Sequence, residues 1–336
     1  MELILNTYGV SLSRDTEGFV ITTAEGKHKI PPVGISSIQI SRGAQISSDA
    51  VMLAVEKEIE IIFVGKSGKP IGRVWSPKYG SISTIRKGQL NFTYTHDAVD
   101  WIKEVITTKI DNQQAMLLLM RADSEDVAQE VERTRRRLED YKTKVGRLEG
   151  FIVNDIAATL RGWEGQASKT YFETLNLFIP EAYRMPARSQ HPALDVTNAF
   201  LNYGYGLLYS KIEGSMIKAG IDPYIGVMHR DDYNRPVLVY DVIELYRVWV
   251  DYVVYRLIAQ DIITDEYYSV RDDGSYWLEG LGRRVLIQSM NDYLDEEITQ
   301  RGITRSRNNQ LFLYIQSLAQ KFKNYSDGLD QQQKAE

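Results

Sequence analysis

The chain has 336 residues, too many for one small core, and at ~100–200 residues per domain the expectation is two domains. Hydrophobic residues make up 43% and charged residues 25%, ordinary globular values that exclude collagen-like, low-complexity and largely disordered chains. Cysteine is absent, histidine occurs four times and the net charge is −5, so disulfide frameworks, thiolate or histidine-rich metal sites and a global pull toward nucleic acid or anionic membrane are all excluded.

About 85 residues at the start read as β-rich. Short β-branched or aromatic runs recur between turn residues at 18–22, 34–40, 59–64 and 71–75. One helix interrupts them, with Ser47-Ser48-Asp49 supplying the N-cap chemistry and Val51, Leu53, Ala54 and Val55 following without Gly or Pro. Residues 66–70 form a turn, and Pro77 and Gly80 mark a linker. From Asp97 onward the pattern is helical: 98–121, 124–147, a helix opening at 151–160 and leading toward Gly162, then 199–219, 242–259, 281–300 and a helix after Arg307. The polar end, 321–336, reads as a flexible tail. The fold class is therefore α+β, a small β-rich domain (1–85) followed by a larger all-α domain (86–320). The longest apolar runs fall far short of the ~20 residues that span a bilayer, and Glu2 stands where a secretory signal places base. A soluble cytoplasmic protein without membrane attachment is expected.

Three familiar motifs fail. Gly65-Lys66-Ser67 follows a strand, but a phosphate-binding loop needs glycine at position 60, which is Glu60. Gly280-Leu281-Gly282 lacks the third glycine and preceding strand of a dinucleotide site. Neither a Gly-x-Ser-x-Gly elbow nor a His-Glu-x-x-His helix occurs.

Three segments of the helical region carry candidate chemistry. Glu164 lies between Gly162 and Gly165, glycines that suggest a tight helix–helix approach. His229 ends the run Gly226-Val227-Met228-His229. Asp241 and Glu244 share a helix face at i, i+3, with Val242, Leu245, Trp249 and Val253 spaced for the buried stripe. Taken singly, each is more readily a cap, a packing histidine or a solvated face. Taken together, one imidazole and two or three carboxylates suit Mg²⁺ or Mn²⁺, the hard cations of phosphoryl transfer.

The motifs around these residues resemble those of the CRISPR-associated adaptation integrase family. They run in order as Glu164-Gly165-Gln166-Ala167, the tyrosine-rich Asn198–Tyr209, Gly220-Ile221-Asp222-Pro223-Tyr224-Ile225-Gly226-Val227-Met228-His229 and Tyr240-Asp241-Val242-Ile243-Glu244-Leu245-Tyr246-Arg247. The likeness covers most of the chain. Departures are mild: Gly165-Gln166 sets the alanine's spacing after Glu164, Leu245-Tyr246 stands where Pro-Phe is common, and Glu244 where some members carry Asp. The resemblance implies Glu164, His229 and Glu244 as divalent-metal ligands, with Asp241 as a further ligand or a supporting group behind them. It implies transesterification of a DNA 3′-hydroxyl onto a phosphodiester of a repeat array, and endonuclease cleavage at the same centre. It also implies a homodimer joined through the β-rich domain, assembled with a small ferredoxin-like partner on a prespacer duplex. Backbone contact should dominate DNA binding, and Arg247, Arg283, Arg284 and Arg305 are the candidate contacts. Seven Lys/Arg against three acids between Glu132 and Arg147 form a further basic stretch, equally readable as a solvated helix face. The tyrosines Tyr171, Tyr203, Tyr205 and Tyr209 suit core packing better than base stacking. A relative acting in repair or mobile-element insertion, and a non-catalytic DNA-binding scaffold, are the competing readings.

Overall fold

The computed structural model describes residues 2–35, 37–65, 70–74, 83–229, 235–300 and 302–326. The linker residues Pro77 and Gly80, the turn at 66–69, Arg301 and most of the polar tail lie outside them. The chain divides into two compact units, Met1–Ser81 and Ile82–Glu336.

The first unit holds β1 (Glu2–Leu5), β2 (Ser11–Arg14), β3 (Phe19–Thr23), β4 (Gly26–Ile30), β5 (Ser37–Ser41), β6 (Gln45–Ile46), α1 (Ser48–Glu56), β7 (Glu60–Val64) and β8 (Pro70–Arg73). β1, β5 and β7 pair in parallel, with β8 antiparallel at the edge. A second sheet runs in the order β4-β3-β2-β6. The Ser47 side chain accepts the Ala50 N–H at 3.2 Å and so starts α1, which buries Ala50, Leu53 and Ala54 in one core with Leu5, Leu12, Phe19, Ile38 and Ile61. β2, β4 and β6 carry one apolar residue each, too few to announce themselves in the sequence; pairing with neighbours defines them.

The second unit is mostly helical: α2 (Ser83–Phe92), α3 (His96–Leu119), α4 (Glu125–Gly146), α5 (Val153–Leu175), α6 (Val196–Lys218), α7 (Val237–Ile243), α8 (Arg247–Ala259), the hairpin of β9 (Tyr268–Val270) and β10 (Tyr276–Leu278), α9 (Gly280–Asp295), the hairpin of β11 (Glu297–Gln300) and β12 (Ile303–Ser306), and α10 (Arg307–Lys323). Side-chain caps at Thr95, Ser124, Asp195 and Ser306 fix the starts of α3, α4, α6 and α10. One core runs through them, with Ile102, Ile106, Ile110, Leu117, Tyr171, Phe200 and Phe322 almost fully enclosed. Among the described residues no helix is long and apolar enough to cross a membrane.

The helix opening at 151–160 and leading toward Gly162 runs on to Leu175 as α5. Three sequence expectations are corrected. The tight approach inferred from Gly162 and Gly165 is absent, since a Cβ at either would meet nothing within 4 Å. A close helix–helix approach is found at Gly204, where a Cβ would come within 2.5 Å of Val250 Cγ1 and where α6 packs directly on α8. The stretch 281–300 is not one helix: α9 ends at Asp295 and 297–300 turns back on 303–306 through Gly302 at φ +77°. The helix read over 242–259 is broken at 244–246, and that break bears on the site.

Candidate active site

α3 buries a stripe of Ile102, Val105, Ile106, Ile110, Met116 and Leu117. Lys109 falls on this stripe and is only 5% exposed, a position an ammonium holds only with charged partners. Its Nζ pairs with Glu164 Oε1 and, at 2.5 Å, with Glu244 Oε2. Two carboxylates from different helical segments thus converge on one cation. Burial pulls the Lys109 pKa down, but Glu244 and Glu164 together hold it above its ordinary value, so the ammonium is charged.

Glu164 projects from the middle of α5, and Ser168, one turn on, donates its Oγ to Glu164 Oε1 at 2.8 Å. Glu244 caps the C-terminus of α7 just before α8 begins at Arg247, and there the break turns it inward to 6% exposure. Asn112 Nδ2 of α3 donates to Leu245 O at 2.9 Å and holds the break in place. Arg247 Nε donates to Glu244 Oε1 at 2.8 Å, and its guanidinium lies 4.9 Å over the Tyr205 ring. Glu244 Oε2 is buried, and the Lys109 ammonium is the cation it faces. Burial would raise the Glu244 pKa; the charges of Arg247 and Lys109 bring it down to about 2.

His229 lies in the connection between α6 and α7. That loop is pinned by Gln89 of α2, whose Nε2 donates to Asp222 O at 2.7 Å and Ile225 O at 3.0 Å. Gly226 is obligatory, because a Cβ there would come within 2.6 Å of His229 O and 2.8 Å of Val237 Cγ2. Arg161 Nη1 donates to Met228 O at 3.4 Å and ties the loop to α5 one turn before Glu164. Asp241 is fully buried: its Oδ2 accepts the Val227 and Met228 N–H groups at 2.7 and 3.1 Å, and its Oδ1 accepts the His229 N–H at 3.2 Å and lies 2.7 Å from His229 Nδ1. Both oxygens are occupied, so Asp241 orients the loop and the imidazole. Nε2 is the nitrogen this bond leaves for other chemistry. Burial works against a charged His229, yet the Asp241 hydrogen bond and charge, with Glu244 adding, hold its pKa above the ordinary value.

The other arginine candidates stand apart. Arg283 is half-buried with its Nε on Leu278 O at 2.7 Å, while Arg284 and Arg305 are exposed. Among the described residues none of the three shares a hydrogen bond or ion pair with the Glu164–Glu244 cluster. In the basic stretch of α4, Arg135 and Arg136 pair with Glu132, and Lys144 with Asp140, as on a solvated face. Tyr171 and Tyr205 are core residues, both donating their hydroxyls to the buried Asp251.

A family model described as CRISPR associated protein Cas1 matches residues 3–292. The chain belongs to the Cas1 family. A CRISPR-associated endonuclease Cas1 of Archaeoglobus fulgidus is 31% identical over 315 residues, 90% of each chain. Among solved structures, a casposase bound to integration product superposes with a TM-score of 0.81 at 20% identity, covering 98% of this chain and 92% of that one. A chain of a Cas6-RT-Cas1--Cas2 complex gives 0.76 at 21% identity, covering 97% of this chain and 35% of that one. These structural likenesses establish the Cas1 fold.

The metal implied by the Cas1 resemblance can be tested on the donors themselves. Glu164 and Glu244 fit a hard cation in their oxygen donors and in converging on a single positive group. His229 does not complete the set here, and among the described residues no three His, Asp or Glu side chains gather closely enough to hold a metal ion. The residues that sequence reasoning missed are Lys109, Asn112, Ser168, Gln89 and Arg161. Only Lys109 left a trace, as a charged residue at a core position of an apolar stripe.

Proposed function

We propose that this protein is a divalent-metal-dependent DNA integrase and endonuclease of CRISPR adaptation, joining a 3′-hydroxyl of a prespacer to a phosphodiester of the repeat array. The observation that carries the reading is the single cation position shared by Glu164 and Glu244 beside the Asp241–His229 pair. Membership of the Cas1 family, with relatives named as endonucleases, supports it.

In this reading Glu164 and Glu244 hold a Mg²⁺ or Mn²⁺ ion, with His229 completing the set or meeting a phosphate oxygen. Such an ion, when bound, offsets the charge that builds on the attacking and leaving oxygens of the phosphodiester. Asp241 fixes the imidazole through Nδ1 and leaves Nε2 for the reacting group, and the raised His229 pKa suits it to give a hydrogen bond or a proton to the departing oxygen. Arg247 keeps Glu244 ionised and in place. Arg283, Arg284 and Arg305 supply backbone contacts to DNA. The β-rich unit pairs two copies, and a small ferredoxin-like companion joins the dimers; the likeness to a chain of a Cas6-RT-Cas1--Cas2 complex supports such an assembly. The casposase likeness keeps mobile-element insertion as the second reading.

The test incubates the protein, alone and with its companion, with Mn²⁺, a duplex bearing 3′ overhangs and a supercoiled plasmid carrying a repeat array. Joined products at the repeat boundary that vanish with Glu164→Gln support the reading. Products scattered without regard to the repeat favour insertion of mobile DNA. DNA binding with no joining under any metal condition leaves a non-catalytic scaffold.

A further inference from the structure

Gln113 lies one turn beyond Lys109 on the same buried face of α3. Its Nε2 donates to Ser168 Oγ at 3.5 Å, and Ser168 in turn serves Glu164. Its Oε1 is buried and accepts no hydrogen bond. An orphaned buried carbonyl of this kind is uncommon and asks for a partner. Lys109, Gln113, Ser168, Tyr205, Arg247 and Asp251 surround a cavity of ≈ 20 Å³, room for one water-sized group. An i, i+4 pair on a helix can touch side chain to side chain, and a lysine stem is long and freely rotating.

We propose that Lys109 is a displaceable internal cation with two positions, paired to Glu164 and Glu244 in the metal-free protein and withdrawn onto Gln113 Oε1 at the cavity when a divalent ion takes the carboxylates. The inference rests on the metal reading of the site. Two carboxylates converging with no cation between them repel. Lys109 offsets that repulsion and keeps Glu164 and Glu244 converged before any ion arrives. An ammonium and a divalent ion cannot share the position, so the lysine must leave, and a buried ammonium needs an acceptor wherever it goes. Gln113 Oε1 is that acceptor, and the cavity gives the headgroup space. Lys109 is thus a positioning residue, and it lowers the apparent affinity of the site for metal by competing with it.

The experiment measures Mn²⁺ binding to the full chain without DNA, by calorimetry and by the paramagnetic signal of free Mn²⁺. Lys109→Met and Lys109→Gln, with folding checked by circular dichroism, are expected to bind Mn²⁺ about tenfold more tightly than the parent. Gln113→Leu, which removes the acceptor and fills the cavity, is expected to bind about tenfold more weakly. In the Lys109→Met background, Gln113→Leu is expected to have no effect, because no ammonium needs a second position. If the parent binds Mn²⁺ in a Glu164-dependent way and neither Lys109 variant binds more tightly, the two-position lysine is wrong and the metal reading stands. A Gln113→Leu effect of equal size with and without Lys109 overturns it likewise. If no variant binds Mn²⁺ through Glu164, the metal reading fails and this inference with it. Should Lys109→Met not fold, Lys109→Gln and the single Gln113→Leu variant decide.

Discussion

Asp241 Oδ1 contacts His229 twice, at 2.7 Å from the ring Nδ1 and at 3.2 Å from the backbone nitrogen. The same carboxylate thus sets both the path of the loop and the tilt of the imidazole. Asp241→Asn puts an amide N–H where an oxygen now accepts, leaving Val227 and Met228 or the ring without an acceptor. Stability is expected to fall by about 2 kcal/mol, and strand transfer by about 10- to 100-fold. Because the Asp241 bond and charge raise the His229 pKa, an NMR titration of the variant should place that histidine lower. A variant in which His229 titrates as before would remove Asp241 from the orienting role.

Asp251 offers a pH dependence separate from the chemistry. Burial drives its pKa from 3.8 to about 6, with the Tyr205 and Tyr171 hydrogen bonds only partly opposing the rise. A carboxyl whose folded pKa is raised binds its proton more readily in the native state. Its favourable contribution is therefore full below the unfolded pKa and is lost as pH climbs through about 6. A rise of that size corresponds to about 3 kcal/mol. Urea denaturation of the parent and Asp251→Asn at pH 4.5 and pH 7.5 should show the parent losing most of that amount relative to the variant. A difference independent of pH would mean that Asp251 titrates normally.

Much of the architecture was legible where its causes are local. Ser47 and the apolar spacing behind it mark α1, because an N-cap and a 3.6-residue period act within a few residues. The run through Gly162 and Gly165 was not, since glycine weakens a helix by only ~1 kcal/mol and the flanking formers carry α5 past both. The hairpin at 297–306 is fixed by pairing and by the positive φ of Gly302, neither of which a helical-looking composition reveals. At the site, the acids and the histidine lie in ordered motifs that can be read along the chain. Lys109 and Gln113 belong to no motif; they are polar residues on an apolar stripe, and only the arrival of α5 and the α7–α8 break gives them meaning.

At Gly204 and at Gly226 a single methyl would disturb packing, with different consequences. Gly204→Ala drives a Cβ to within 2.5 Å of Val250 Cγ1 and separates α6 from α8. A loss of about 1–3 kcal/mol is expected, read as a lower melting temperature with loop chemistry intact. Gly226→Ala meets backbone as well, at His229 O, and cannot be relieved by rotating a side chain. Strand transfer should fall more than stability does. Equal proportional losses in both variants would show that the 226–229 loop has no special bearing on activity.

Arg283 and Arg284 separate DNA contact from surface charge. Arg284 is exposed, whereas Arg283 spends its Nε on Leu278 O and retains its other donors. Removing one arginine–phosphate interaction should lower the slope of log affinity against log salt by about one unit on duplex DNA. Arg284→Gln is therefore expected to weaken binding and flatten the slope by close to that amount with no change in thermal stability. Arg283→Gln also removes the hydrogen bond to Leu278 O, so a smaller slope change accompanied by lower stability is expected. Binding isotherms at several salt concentrations check both, and an unaltered slope for Arg284→Gln would return that side chain to the solvated surface.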